Sequence, residues 1–88
     1  MNTEIVKVSA RSMPKLVAGA IAAIIREGGR AEIQAVGAGA TNQAVKAIAI
    51  ARVYMEAEKV DLICRPAFTV IPIDGTEKTA MQLTVDTR

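Results

Sequence analysis

The residues of this chain best suited to chemistry lie in the run Gly37-Ala38-Gly39-Ala40-Thr41-Asn42-Gln43, between a β-type segment and an apolar helical one. At such a junction free backbone N–H groups and the positive end of the helix dipole attract anions such as phosphate. Gly39 lets the backbone approach a ligand, and Thr41, Asn42 and Gln43 offer side-chain donors. Lys46 follows one helical turn later, and Arg11, Ser12 and Lys15 occupy the corresponding junction earlier in the chain. Spaced cations and unpaired amides on one edge suit a sugar-phosphate backbone, which needs no deep pocket. The run lacks both the dinucleotide fingerprint with its downstream acid and the Gly-Lys-Ser/Thr ending of a phosphate loop, so by itself it reads first as a tight packing corner and second as a ligand site. Arg65, beside Pro66, is a further candidate phosphate contact, or an edge-strand arginine in solvent.

Other chemistries find little to work with. The chain has no histidine and one cysteine, Cys64, so neither a soft-ligand metal cluster nor an internal disulfide is expected, and no cofactor is implied. A general acid or base would have to be a carboxylate, lysine, tyrosine or the lone thiol. The acids sit mostly at element ends or on exposed strand positions, and Cys64 in Leu62-Ile63-Cys64 reads as a small buried hydrophobe. The expectation is a protein that is not an enzyme, with no catalytic residue. Tyr54 and Phe68 are the only aromatics, too few for a base-stacking platform, and Phe68 is expected in the core.

The net charge is +2 with a pI near 9.0, which permits contact with polyanions without demanding it. Its distribution says more: no acid occurs from Val6 to Arg26 or from Gln34 to Met55, so both junctions are locally basic. Apolar residues make up 51% of the chain and aromatics 2%, which implies a finely packed aliphatic core. In 88 residues so much aliphatic and alanine surface cannot all be hidden, which predicts a homodimer or larger assembly. The longest apolar run, Leu16 to Ile25, is too short to span a bilayer, and no basic-then-apolar leader precedes Val6, so a soluble cytoplasmic protein is expected.

The elements that must position these residues follow from local pattern, and they form one domain over residues 1–88. Glu4 to Val8 is β-branched and half polar, a first strand. Ser12 is a candidate cap for a helix with Pro14 in its first turn, whose stripe is Val17, Ala20, Ile21, Ile24 and Ile25, stopped by Gly28-Gly29. Arg30 to Val36 alternates as a second strand, with Ile33 and Ala35 opposite Glu32 and Gln34. A second helix is predicted from Thr41 onward, apolar over more than one face, so that both of its sides should touch protein. Val60 to Ile73 is extended but contains Pro66 and Pro72, so it bends or runs along an edge, and part of it should project as an arm. Asp74-Gly75 marks a hairpin turn into a last strand in which Met81, Leu83 and Val85 alternate with polar residues. The order β-α-β-α-β-β describes an α/β two-layer sandwich with a mixed four-stranded sheet and both helices on one face.

The longer motifs carry a resemblance. Lys7-Val8-Ser9-Ala10, Val17-Ala18-Gly19-Ala20-Ile21-Ala22, the run from Ala31 to Ala40, Asn42 to Arg52, Val60-Asp61-Leu62-Ile63-Cys64, Pro66-Ala67-Phe68 and Ile73-Asp74-Gly75 together resemble stage V sporulation protein S nearly end to end. The resemblance implies a fold similar to the archaeal chromatin protein Alba and to the C-terminal domain of translation initiation factor three, with sheet order 1-2-4-3. It further implies a dimer or higher assembly and a role in binding DNA or RNA connected with spore development or cell division. Alba-like proteins carry basic residues at both strand-helix corners, and Arg11 and Lys15 match the first. At the second, Ala38 and Ala40 flank Gly39 where those proteins have arginines, which leaves Asn42, Gln43 and Lys46 as the donors.

Taken together, the sequence predicts a homo-oligomeric nucleic-acid-binding regulatory protein that contacts the phosphate backbone. The alternatives are a protein-interaction scaffold in sporulation or cell-division regulation and, third, a nucleotide site at the glycine-rich turn.

Overall fold

The computed structural model describes residues 2–88. The elements are β1 (Thr3–Val8), α1 (Pro14–Arg26), β2 (Arg30–Ala35), α2 (Ala38–Glu56), β3 (Leu62–Ile73) and β4 (Thr76–Thr87). They build one four-stranded sheet of order β1-β2-β4-β3, the order the resemblance implies. β1 and β2 are parallel, while β4 runs antiparallel to both β2 and β3.

Alternation on the central strands decides which face is covered. Ala31, Ile33 and Ala35 of β2 and Leu83 and Val85 of β4 are buried against Ile21, Ala22 and Ile25 of α1 and Ala44, Ile48 and Ala51 of α2. Between them Glu32, Gln34, Gln82 and Thr84 are half-buried on the opposite, helix-free face. The alanines let the two helices approach each other closely, so a core almost without aromatics still packs. On α1 the buried stripe is Ala18, Ile21, Ala22, Ile24 and Ile25 with Val17 beside it; Ala20, assigned to the stripe by spacing, is exposed. The helix ends where expected: the amide of Gly28 donates to the carbonyl of Ile25 and that of Gly29 to Ile24, a Schellman stop.

Pro66 and Pro72 are accommodated because β3 is an edge strand with β4 as its partner, so a proline nitrogen can face away from the ladder. The β3–β4 hairpin stays paired over its whole length to the Asp74-Gly75 turn, where both residues have positive φ. The molecule measures 42 × 26 × 16 Å, and nearly all of residues 64–79 of this hairpin are exposed, in keeping with the arm the sequence predicts. No helix among the described residues is long and apolar enough to cross a membrane.

Besides Ala20, other sequence expectations change. Ser12 does not cap α1: Met13 is the cap residue, and the Ser12 hydroxyl instead accepts a 2.9 Å bond from the Ser9 amide. α2 begins at Ala38 rather than Thr41, because Gly37 at φ 89° makes the whole turn alone. Phe68, expected in the core, is 80% exposed.

Candidate nucleic-acid interface

The parallel pairing of β1 with β2 brings the β1–α1 and β2–α2 corners to the same end of the sheet. Residues 9–12 form a turn in which the Ser12 amide donates to the Ser9 carbonyl at 3.1 Å and the Arg11 amide to Ser9 Oγ at 3.2 Å. This leaves the Arg11 side chain outside the turn. The two corners are then tied together directly: Gln43 Nε2 donates to the Ser12 carbonyl at 2.9 Å. At the same contact a Cβ on Gly39 would lie 3.0 Å from that of Ala10. Gly39 therefore serves the close approach of the two corners, and its place in the first turn of α2 puts its amide among the helix's free N-terminal donors.

The predicted residues divide among three places. Arg11, Ser12, Lys15, Gln43 and Lys46 line one groove between the start of α1 and the flank of α2, about 750 Å3 in volume. Its floor is apolar, made by Met13, Pro14, Ala49 and Ile50. Thr41 and Asn42 lie on the other flank of α2, where they line a smaller hollow with Val45 and Phe68. The Thr41 hydroxyl donates to the Gly37 carbonyl at 2.8 Å, closing the first turn of the helix. Arg65 stands apart from both, on the helix-free face, with Nη2 3.6 Å from Asp86 Oδ2.

The arginines outside the groove are all paired with acids, whereas Lys7, Lys59 and Lys78 resemble the groove cations in having no ion pair among the described residues. Arg26, Arg30, Arg52, Arg65 and Arg88 each pair with Glu58, Asp61 or Asp86. Among the described residues, Arg11, Lys15 and Lys46 take part in no ion pair, and no acid lines their groove. The acid-free stretches of sequence have thus folded into an acid-free concavity. Met13, 63% exposed, and Ile50 are the groove residues that reasoning from charge and spacing missed. Met13 gave a signal, an apolar residue between Ser12 and Pro14 at the start of a helix, but nothing in sequence brings Ile50 beside it.

A family model described as Stage V sporulation protein S (SpoVS) matches residues 4–88, which includes both corners and every element except the first residue of β1. The chain belongs to the stage V sporulation protein S family. For this member of the family the thiol offers no alternative site. Cys64 is exposed rather than buried, and partial cover by its neighbours pushes its pKa up, against the opposing pull of Arg65, so the thiolate is disfavoured. No three His, Cys, Asp or Glu side chains among the described residues group as a metal site would require.

Proposed function

We propose that this member of the family binds nucleic acid through the phosphate backbone, using the groove between the start of α1 and the flank of α2. One observation carries the reading: Arg11, Lys15 and Lys46, in no ion pair among the described residues and without an acidic neighbour in the groove, line a single concavity between the start of α1 and the middle of α2. The free amides at the start of α2 are not part of this groove, since Gly37 and Ala38 line the hollow on the other flank of the helix. Asn42, on the far flank of α2, and Arg65, paired on the opposite face, contribute least. The test is binding of labelled DNA and RNA by the protein and by an Arg11→Ala/Lys15→Ala/Lys46→Ala variant. Binding that weakens with salt and is lost in the variant supports the proposal; binding that ignores both overturns it.

The same reading includes self-association. The protein exposes 5507 Å2 of surface, whereas a compact monomer of 9.3 kDa exposes about 5,000 Å2. Along the outer flank of α2 and the neighbouring edge strand, Val45, Val53, Phe68 and Val70 are all more than half exposed. A second copy covering this strip would account for the apolar character of α2 on its outer side and would set two basic grooves near one another. The strip also supports the scaffold reading, in which it recruits a different protein; partners recovered from nuclease-treated lysate in place of a homo-oligomer would favour that reading.

A further inference from the structure

The basic groove has a floor that phosphate contacts alone do not require. A duplex presents sugar and phosphate outward and keeps its base faces stacked inside, so a surface that reads only its backbone needs cations and no apolar cavity. Here Arg11, Lys15 and Lys46 frame a floor on which Met13, Ala49 and Ile50 are grouped, in a concavity of about 750 Å3. That volume is in the range that takes a compact organic ligand, and the lining has the usual composition of such a site, apolar with a few polar groups around it. The main chain at Met13 is anchored, since its carbonyl accepts from the amides of Leu16 at 3.0 Å and Val17 at 3.1 Å. The side chain is nonetheless 63% exposed and lines the groove with Ile50, where a bound apolar group can reach it. Thioethers make favourable contacts with flat π-systems, which compensates for the absence of an aromatic platform in the groove.

We infer that the groove holds an unpaired nucleotide of a single strand, its base resting on Met13 and Ile50 and its flanking phosphates on Arg11, Lys15 and Lys46. The inference rests on the phosphate-binding reading above and narrows it to single-stranded nucleic acid with at least one base exposed to the protein. Charge complementarity selects this occupant: the groove has three cations and no acid, so an apolar partner carrying phosphates fits it better than a neutral or cationic peptide.

The experiment compares three labelled probes by fluorescence anisotropy at roughly 100 mM salt: an oligothymidine of about twelve nucleotides, the same strand with abasic positions, and a duplex of equal length. The base-bearing strand should bind roughly five- to tenfold more tightly than the abasic one. In Met13→Ser that ratio should fall to near one while the salt dependence is retained. Met13 is exposed, so this substitution leaves the core intact; Ile50→Ser, checked for folding by circular dichroism, should act in the same direction. Equal affinity for the abasic and base-bearing strands, or a ratio unchanged by Met13→Ser, overturns the inference while leaving phosphate binding in place. Absence of salt-dependent binding to all three probes overturns both readings. Displacement of the strand by thymidine monophosphate at comparable site occupancy assigns the groove to a free nucleotide and overturns the strand assignment.

Discussion

Replacing Lys46 by alanine isolates one charge of the proposed interface at little structural cost. The side chain is exposed, it takes part in no ion pair among the described residues, and alanine is at least as good a helix former, so α2 should persist. Each phosphate neutralised contributes about −0.9 to the slope of log affinity against log salt for duplex DNA and about −0.7 for a single strand. With Arg11, Lys15 and Lys46 engaged, one copy has a slope of about −2.7 or −2.1. Raising salt from roughly 50 to 200 mM should therefore weaken binding about 40-fold for duplex or about 18-fold for single strand. Lys46→Ala lowers these to about 12-fold and about 7-fold, and an assembly engaging several grooves at once shows the change once per groove. Anisotropy titrations at four or five salt concentrations measure the slope directly. Arg65→Ala is the internal control, because Arg65 pairs with Asp86 on the opposite face and should leave the slope as it is. Parallel log–log lines for the native protein and Lys46→Ala would refute the reasoning, whatever the absolute affinities.

Three other outcomes follow from the structure. Ile33 is fully buried at the centre of the sheet, so Ile33→Ala should lower unfolding free energy by about 2–5 kcal/mol, read from urea denaturation. Phe68→Asp should reduce the mass seen by light scattering to the 9.3 kDa of a single chain, and an unchanged oligomer would rule out the α2–β3 strip as the self-association surface. The carboxyl of Asp61 is held below its ordinary value of 3.8 by hydrogen bonds from Arg88 and Arg52. A depressed folded-state pKa stabilises above the unfolded value and loses that contribution as pH falls through it, so the stability difference between the native protein and Asp61→Asn should be present at pH 6 and shrink towards pH 3. A difference constant over that range would show that the ion pairs do not set the titration.

How far the site was legible depends on which residues one asks about. Arg11, Ser12, Lys15, Gln43 and Lys46 fall in one groove as expected, because two consecutive strand-helix units in a parallel pair must turn at the same end of the sheet. Arg65 could not be placed from sequence: strand alternation puts it on one face or the other according to register, and its register with Thr84 sends it to the helix-free side with Asp86. Phe68 and Cys64 misled because an apolar residue in an extended run looks like core. Both sit on the edge strand beside α2, across open hollows that the helix lines without closing, which leaves them exposed.

The amino-acid order alone determined the element types, their succession and the family, since these follow from local periodicity, turn residues and long shared motifs. It also determined that both corners would be free of acids, because the acid-free stretches are contiguous in the chain. Only the folded chain decided that Gln43 would clasp the Ser12 carbonyl, that Gly39 would seat Ala10, and that Met13 and Ile50 would floor the groove between the cations. Those contacts join residues some 30 positions apart, and their existence depends on how closely two alanine-lined helices approach each other, a distance set by packing of the whole core and by no local pattern.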